Sequence, residues 1–168
     1  MFFFRLLVIL GCLVPLDRHS VTLAGRIVGI SDGDTVTLLD VNKVQHRIRI
    51  AGIDAPEKKQ AFGTRSKSSL SDMAFNRAVE ADCRKADRYQ RQVCVVYVNG
   101  KDIGLEQIRT GMAWWYREYS KEQTLHERRE YEQAESQAQR RQLGIWSHSN
   151  PVPPWQWRRD RRNSSRRK

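Results

Sequence analysis

Two short acidic segments in the first third of the chain place carboxylates at spacings suited to a bound cation. Asp32 and Asp34 are separated by one glycine and follow a run of β-branched residues. Asp54 and Glu57 enclose Pro56 and follow a second strand-like run. Hard cations such as calcium prefer oxygen ligands, and a carboxylate beside such a cation can take a proton from water. Taken singly, the first segment is also typical of a hairpin turn, and the second of a surface ion-pair network.

Two arginines accompany these carboxylates in the sequence. Arg49 lies in the alternating run 45–50, on the face opposite its isoleucines, and Arg91 ends the polar turn 87–91. A guanidinium group meets phosphate oxygens with two parallel hydrogen bonds, whereas a lysine acts only as a point charge. The pair is therefore suited to hold a phosphodiester and to stabilise the charge that develops during its cleavage. A lone arginine in a turn is equally typical of a solvated surface.

The elements that must position these groups are short strands followed by amphipathic helices. Strand patterns fall at 21–30, 35–39, 45–50, 79–83 and 93–98, and helical patterns at 63–78, 102–109 and 121–142. One helix thus follows the third strand and two follow the fifth. This order predicts an α+β fold, a five-stranded OB-fold β-barrel with three α-helices.

The three polar segments resemble the motifs of the staphylococcal nuclease (thermonuclease) family in order and spacing. The matching segments are DGDT at 32–35, R-x-x-x-x-D-x-P-E at 49–57 and DRYQR at 87–91, and the similarity runs from residue 25 to residue 146. The resemblance implies an OB-fold endonuclease that hydrolyses DNA and RNA with one calcium ion and cuts the bond to the 5′ oxygen. The alternative is a non-catalytic OB-fold module that binds nucleic acid. All five key side chains of the family's site are present, which favours the enzyme.

The resemblance also implies a role for each acidic residue. Asp34 and Asp54 would be the carboxylate ligands of calcium, and Ala55 would add its backbone carbonyl. Asp32 would lie behind these ligands without contacting the ion. Glu57 would be the general base or would orient the attacking water.

The same resemblance implies that Arg49 and Arg91 bind the scissile phosphate and that Tyr89 contacts a neighbouring phosphate. One residue of this turn departs from the family, because Gln90 stands where glycine is frequent. If that position requires a positive φ, glutamine costs about 1 kcal/mol and could shift Arg91.

The family's pair of tyrosines at the base pocket is matched only in part. Tyr119 matches one position, whereas the other falls on Arg117, and Tyr116 is the available substitute. The aromatic run 114–119 is compatible with stacking on bases and equally with packing under the last helix.

The first sixteen residues are apolar apart from Arg5. This stretch predicts a signal peptide or membrane-targeting segment over residues 1–24, and hence an exported protein, periplasmic or secreted. Cys12 also stands in a loose match to a bacterial lipoprotein cleavage box, which is compatible with lipid anchorage to a membrane. Two cysteines, Cys83 and Cys94, remain in the chain after this segment. They are predicted to face each other across a hairpin, either as a disulfide or as two free thiols.

The chain has 168 residues and a formal net charge of +11, which indicates a polyanionic partner such as DNA or RNA. We expect one nuclease domain over residues 25–148, acting as a monomer and without an obligate protein partner. Residues 149–168 are rich first in proline and tryptophan and then in arginine. Their composition predicts an extended strap followed by a disordered basic tail.

Overall fold

A computed structural model describes residues 20–166. It contains eight strands and four α-helices within this range. The strands are β1 Val21–Ile30, β2 Thr35–Asp40, β3 Gln45–Ile50, β4 Ile53–Asp54, β5 Ala78–Ala86, β6 Gln92–Val98, β7 Lys101–Asp102 and β8 Trp114–Trp115. The helices are α1 Gly63–Ala74, α2 Ile103–Arg109, α3 Leu125–Arg140 and α4 Pro154–Arg166, with 3-10 turns at Arg117–Glu122 and Gly144–Ser147.

The five long strands close into a barrel. Their order in the sheet is β3-β2-β1-β5-β6, with the short β7 beside β6, and these neighbours pair antiparallel. A parallel pairing between β3 and β6, in which Arg49 lies opposite Val93, joins the two ends of the sheet. The α+β class and the five-stranded OB-fold barrel predicted from the sequence are therefore confirmed.

Alternation along β3 places its hydrophobic side chains in the barrel and its arginines outside. Ile48 and Ile50 are 0% and 1% exposed, whereas Arg49 faces the opposite side. Helix α2 packs against both α1 and α3 at the barrel. Its first turn is fixed by Asp102, whose Oδ1 accepts from the backbone N–H of Gly104 and whose Oδ2 accepts from the Tyr131 hydroxyl at 2.7 Å.

Helices α1 and α3 are shorter than their sequence patterns predicted, and local geometry explains the largest difference in each. Helix α1 ends at Ala74 rather than at residue 78, because Phe75 is extended and Asn76 has φ 59°. Helix α3 begins at Leu125 rather than at residue 121. Thr124 and Glu127 form a reciprocal capping box there, and this box sets the start of the helix.

The prediction of an extended strap and a disordered tail over residues 149–168 was wrong for most of that segment. Residues 154–166 form helix α4. Pro154 is its first residue, where a missing N–H costs nothing, and the Pro153 carbonyl accepts from the Trp157 N–H at 3.0 Å. Arginine is also a good helix former, so prolines that appeared to exclude a helix instead mark its start.

Cys83 and Cys94 form a disulfide between β5 and β6, which decides between the two alternatives left open by the sequence. They are paired residues of the ladder, with Cα atoms 4.0 Å apart. Most of the predicted targeting segment, with Cys12, lies outside the described residues. Strand β1 begins at Val21, four residues before the predicted domain boundary at residue 25. Between residues 20 and 166, no helix has the length and apolar character needed to cross a membrane.

Candidate active site

Asp34 directly precedes β2 and is positioned there by the close packing of the turn to which it belongs. Gly33 has no room for a side chain, because a Cβ there would come within 1.9 Å of the Ser66 hydroxyl on α1. Asp34 itself is only 6% exposed. Its Oδ2 accepts from the backbone N–H of Ala55 at 2.8 Å, and its Oδ1 accepts from the Thr35 hydroxyl at 3.1 Å. The first acidic segment is thus bonded directly to the second.

Asp54 lies in β4 beside Asp34 and is 1% exposed. Arg49, which pairs with Thr35 across β2 and β3, spans both carboxylates. Its Nη2 lies 3.1 Å from Asp54 Oδ1 and 3.2 Å from Asp34 Oδ2. Its Nη1 donates to the Ile50 carbonyl at 2.9 Å, so the guanidinium group is fixed to the sheet as well as to the acids.

Glu57 follows Pro56 in the turn after β4, and its side chain is 40% exposed. Its backbone N–H donates to Gln60 Oε1 at 3.1 Å. The side chain meets Arg158 of helix α4, whose Nη1 lies 2.8 Å from Glu57 Oε1. The same guanidinium group reaches Asp54, with Nη2 2.7 Å from Oδ2 and Nη1 3.2 Å from Oδ1. Arg158 therefore bridges the two carboxylates.

Arg91 is held by the turn that precedes β6. Asp87 Oδ2 accepts from Arg91 Nε at 2.8 Å and lies 2.7 Å from its Nη2, while Asp87 Oδ1 accepts from the Tyr89 and Arg91 backbone N–H groups. Arg91 Nη1 reaches the Thr35 hydroxyl at 3.3 Å. Since that hydroxyl also bonds Asp34, one chain of hydrogen bonds links both predicted arginines to the acidic cluster. Gln90 has φ 60°, so this turn does require a positive φ.

The pKa values of two carboxyl groups at this site, Asp32 and Asp54, are raised above their usual value. Burial raises the pKa of Asp54, although hydrogen bonding to Arg158 and the charge of Arg49 act in the opposite direction. Burial and the neighbouring charge of Asp34 raise the pKa of Asp32 to about 6. The site therefore favours neutralisation, which protons, guanidinium groups or a bound cation can supply.

The predicted tyrosines fall in two places. Tyr89 is 62% exposed, with Arg91 Cζ 5.4 Å from its ring centroid. Tyr116 stacks on Trp155 of α4, with centroids 5.5 Å apart and planes at 12°. Tyr119 meets the edge of Tyr116 at 5.1 Å and is 43% exposed.

The rest of the aromatic run packs inside the protein. Trp114 and Trp115 are 5% and 6% exposed, so these two rings serve packing rather than base stacking. Arg117 stands at the unmatched position of the tyrosine pair. Its Nη1 lies 2.7 Å from Glu135 Oε2, and its Cζ lies 4.3 Å from the centroid of the Trp115 ring.

Most of the residues singled out from the sequence thus converge on one end of the barrel. Asp32, Asp34, Arg49, Asp54, Ala55 and Glu57 lie together, and Arg91 joins them through Thr35. Three participants were missed: Asp87, Thr35 and Arg158. The first two stand inside the recognised motifs, where their hydrogen bonds to neighbours were foreseeable. Arg158 carries no signal that separates it from the other arginines of the C-terminal run.

A closed OB-fold barrel with buried carboxylates and two anchored arginines at one end is the arrangement of a nuclease, a hydrolase that acts on nucleic acid. Residues 47–148 match the family model described as "Staphylococcal nuclease homologue", and the chain belongs to this family. It is 45% identical over 134 residues to a protein of Haemophilus influenzae named "Uncharacterized endonuclease", covering 80% of this chain and 72% of that protein.

Two further relatives cover more of the chain. One is the "Micrococcal nuclease" of Shigella flexneri, 41% identical over 150 residues, which span 84% of this chain and 83% of the relative. The other is "Protein ParB" of Escherichia coli, 36% identical over 163 residues, which span 92% of this chain and 89% of the relative.

Proposed function

We propose that this protein is a calcium-dependent endonuclease that hydrolyses phosphodiester bonds in both DNA and RNA. The observation that carries the proposal is the convergence of Asp34, Asp54 and Glu57, with Arg49 in contact with the first two. Asp34 directly precedes β2, Arg49 lies in β3, Asp54 lies in β4, and Glu57 follows in the turn after β4. The fold therefore brings four separate segments together.

The donors at this site suit a hard divalent cation. Asp32, Asp34, Asp54 and Glu57 supply four carboxyl groups. Within residues 20–166, the cationic groups in direct contact with them are the guanidinium groups of Arg49 and Arg158. Across residues 20–166, no three His, Cys, Asp or Glu side chains are grouped to hold a metal. With so few grouped side-chain ligands, calcium would be held by the carboxylates of Asp34 and Asp54 with the carbonyl of Ala55, and water and substrate would supply its remaining oxygen ligands.

Calcium, the two arginines and Glu57 would have separate roles in hydrolysis. Bound calcium would polarise a phosphate oxygen and offset its negative charge. Arg49 and Arg91 bind the phosphodiester and stabilise the charge that grows on its nonbridging oxygens. Glu57 orients a water molecule and accepts its proton as the water oxygen bonds to phosphorus. The bond from phosphorus to the 5′ oxygen breaks, and that oxygen takes a proton from solvent water.

Substrate contacts beyond the cleaved bond involve the exposed tyrosines. We propose that Tyr89 contacts a neighbouring phosphate, and that Tyr116 and Tyr119 contact a base. The net charge of +11 attracts either nucleic acid without sequence choice, so binding should weaken steeply with salt.

We also propose that the protein is exported to the periplasm or secreted. The Cys83–Cys94 disulfide supports this location, because such bonds persist mainly in oxidising compartments. The apolar N-terminal segment would then direct export, with Cys12 as a site for lipid attachment.

Replacement of Glu57 by glutamine, with cleavage of plasmid DNA, single-stranded DNA and RNA as the assay, tests the assignment. Each substrate is incubated with calcium or with chelator. Glu57→Gln removes the proton acceptor at nearly constant size and should slow cleavage by about 100-fold or more. Glu132→Gln, an exposed residue of helix α3, is the matched control and should cleave at the wild-type rate.

Two results would contradict the proposal. Cleavage that is unaffected by chelator would exclude the calcium site. Salt-sensitive binding of nucleic acid without cleavage at any calcium concentration would identify a non-catalytic OB-fold binding module.

A further inference from the structure

Helix α4 is docked against the active site by its first turn. Pro154 is buried, and Trp155 stacks on Tyr116. Just before the helix, Gln60 donates to the Val152 carbonyl at 2.5 Å, which ties the segment to the turn that carries Glu57. Arg158 lies one helical turn after Trp155, so the same face of α4 presents both a ring and a guanidinium group to the site.

Arg158 occupies both oxygens of the Asp54 carboxylate. Its Nη2 lies 2.7 Å from Oδ2, and its Nη1 lies 3.2 Å from Oδ1 and 2.8 Å from Glu57 Oε1. Arg49 also contacts Asp54 Oδ1. Each Asp54 oxygen therefore already accepts a charged hydrogen bond. Arg158 remains cationic at every accessible pH, because a guanidinium group does not lose its proton in proteins.

A divalent cation and a guanidinium group cannot both use Asp54 in this way without strong repulsion. A cation bound to a carboxylate oxygen lies about 2.4 Å from it, and the Arg158 nitrogens lie scarcely farther from the same atoms. Like charges at such separations repel strongly where water is largely excluded. Binding of the cation must then weaken the contact of Arg158, and the contact of Arg158 must weaken binding of the cation by the same factor.

We propose that Arg158 competes with the catalytic divalent cation for Asp54, so that helix α4 sets the cation affinity of the active site. This inference rests on the proposed function, since it takes Asp54 to be a cation ligand. A purely structural role for Arg158, as a counter-charge that helps the acidic cluster to fold, predicts a different outcome. In that case its loss would lower stability without a gain in cation affinity.

Calcium binding without nucleic acid distinguishes the two roles. Isothermal titration calorimetry of calcium into the purified protein would compare the wild type with Arg158→Met, which keeps the aliphatic bulk and removes the charge. Arg159→Met is the matched control, because it removes the same charge from an exposed position of the same helix. A second variant, Arg158→Gln, serves if the first fails to fold, and circular dichroism melting checks folding in each case.

We expect Arg158→Met and Arg158→Gln to bind calcium about tenfold more tightly than the wild type, and Arg159→Met to bind as the wild type does. Equal or weaker binding by folded Arg158 variants would overturn the competition while leaving the calcium site intact. An equal gain in Arg159→Met would overturn it too, since the effect would then come from net charge alone. Absence of calcium binding in every variant would overturn the calcium site itself and this inference with it.

Discussion

The turn that carries Arg91 contains a residue in an unfavourable backbone conformation. Gln90 has φ 60°, in the left-handed region that glycine occupies without a steric penalty. Its side chain is exposed, and its backbone N–H donates to the Asp87 carbonyl at 2.9 Å. Glycine would keep that hydrogen bond and would lose no buried contact. We therefore expect Gln90→Gly to raise the free energy of unfolding by about 0.5 to 1 kcal/mol, because relief of about 1 to 2 kcal/mol of backbone strain exceeds the unfolded-state entropy that glycine adds. This change is equivalent to about 2 °C in melting temperature.

Urea denaturation of the two proteins measures this difference, with Arg88→Gly as the control. Arg88 is exposed in the same turn but is not among the residues of positive φ. Glycine there only widens the unfolded ensemble and removes a contact with the Tyr89 ring, so it should lower stability by about 0.5 to 1 kcal/mol. The opposite signs of the two changes separate backbone strain from a general effect of glycine.

The cleavage rate of Gln90→Gly should equal that of the wild type. Asp87 accepts from the backbone and from the guanidinium group of Arg91, and these bonds fix the arginine whatever residue precedes it. A Gln90→Gly protein that is no more stable than the wild type would refute the strain argument. A changed cleavage rate at unchanged stability would show that Gln90 shifts Arg91.

Two further substitutions test the contacts around the site. Asp87→Asn removes the charged acceptor of Arg91 Nε and should slow cleavage by about tenfold to hundredfold; a wild-type rate would contradict this role, and the exposed Asp72→Asn is its control. Burial raises the pKa of Glu127, but its bonds to Arg84 and Thr124 outweigh burial and leave it below the usual 4.5. The stability that this carboxylate supplies is thus present above pH 4.5 and is lost as the pH falls through the lowered value. Glu127→Gln should therefore cost about 1 kcal/mol at pH 7 and little at pH 3 in urea denaturation, whereas a gap that stays constant between the two would contradict the ion pair as its origin.

The parts of the fold that the sequence predicted are those governed by local patterns. Alternation of isoleucine and arginine in β3 fixes which side chains enter the barrel, and the cap at Asp102 fixes the start of α2. The acidic clusters and the arginines could be assigned to one site because their motifs resemble a family in register. The geometry that joins them, such as the bond from Ala55 to Asp34, depends on residues 21 positions apart and could not be read from either motif.

The C-terminal helix shows why the rest could not be predicted. Its prolines and its run of arginines resemble those of disordered segments, and composition weighs every arginine of the run equally. The docking of helix α4, through the burial of Pro154 and the packing of Trp155 on Tyr116, places one of them, Arg158, on a carboxylate 104 residues earlier in the chain. Contacts at such separation are set by tertiary structure, to which a single sequence gives no direct access.

The guanidinium groups of Arg49 and Arg158 differ in how easily each can move away from the Asp54 carboxylate. Arg49 is the last residue but one of β3 and is paired with β2 on one side and β6 on the other. Its Nη1 is also bonded to the Ile50 carbonyl, so its withdrawal would disturb the closed sheet. Arg158 belongs to the last helix, and its side chain is 35% exposed. A buried carboxylate needs a positively charged partner in the folded protein. A cation can displace a partner on the last helix with less disturbance of the sheet than a partner within a strand. The acidic cluster can therefore be kept neutralised by Arg158 for folding and be released for cation binding without opening the barrel.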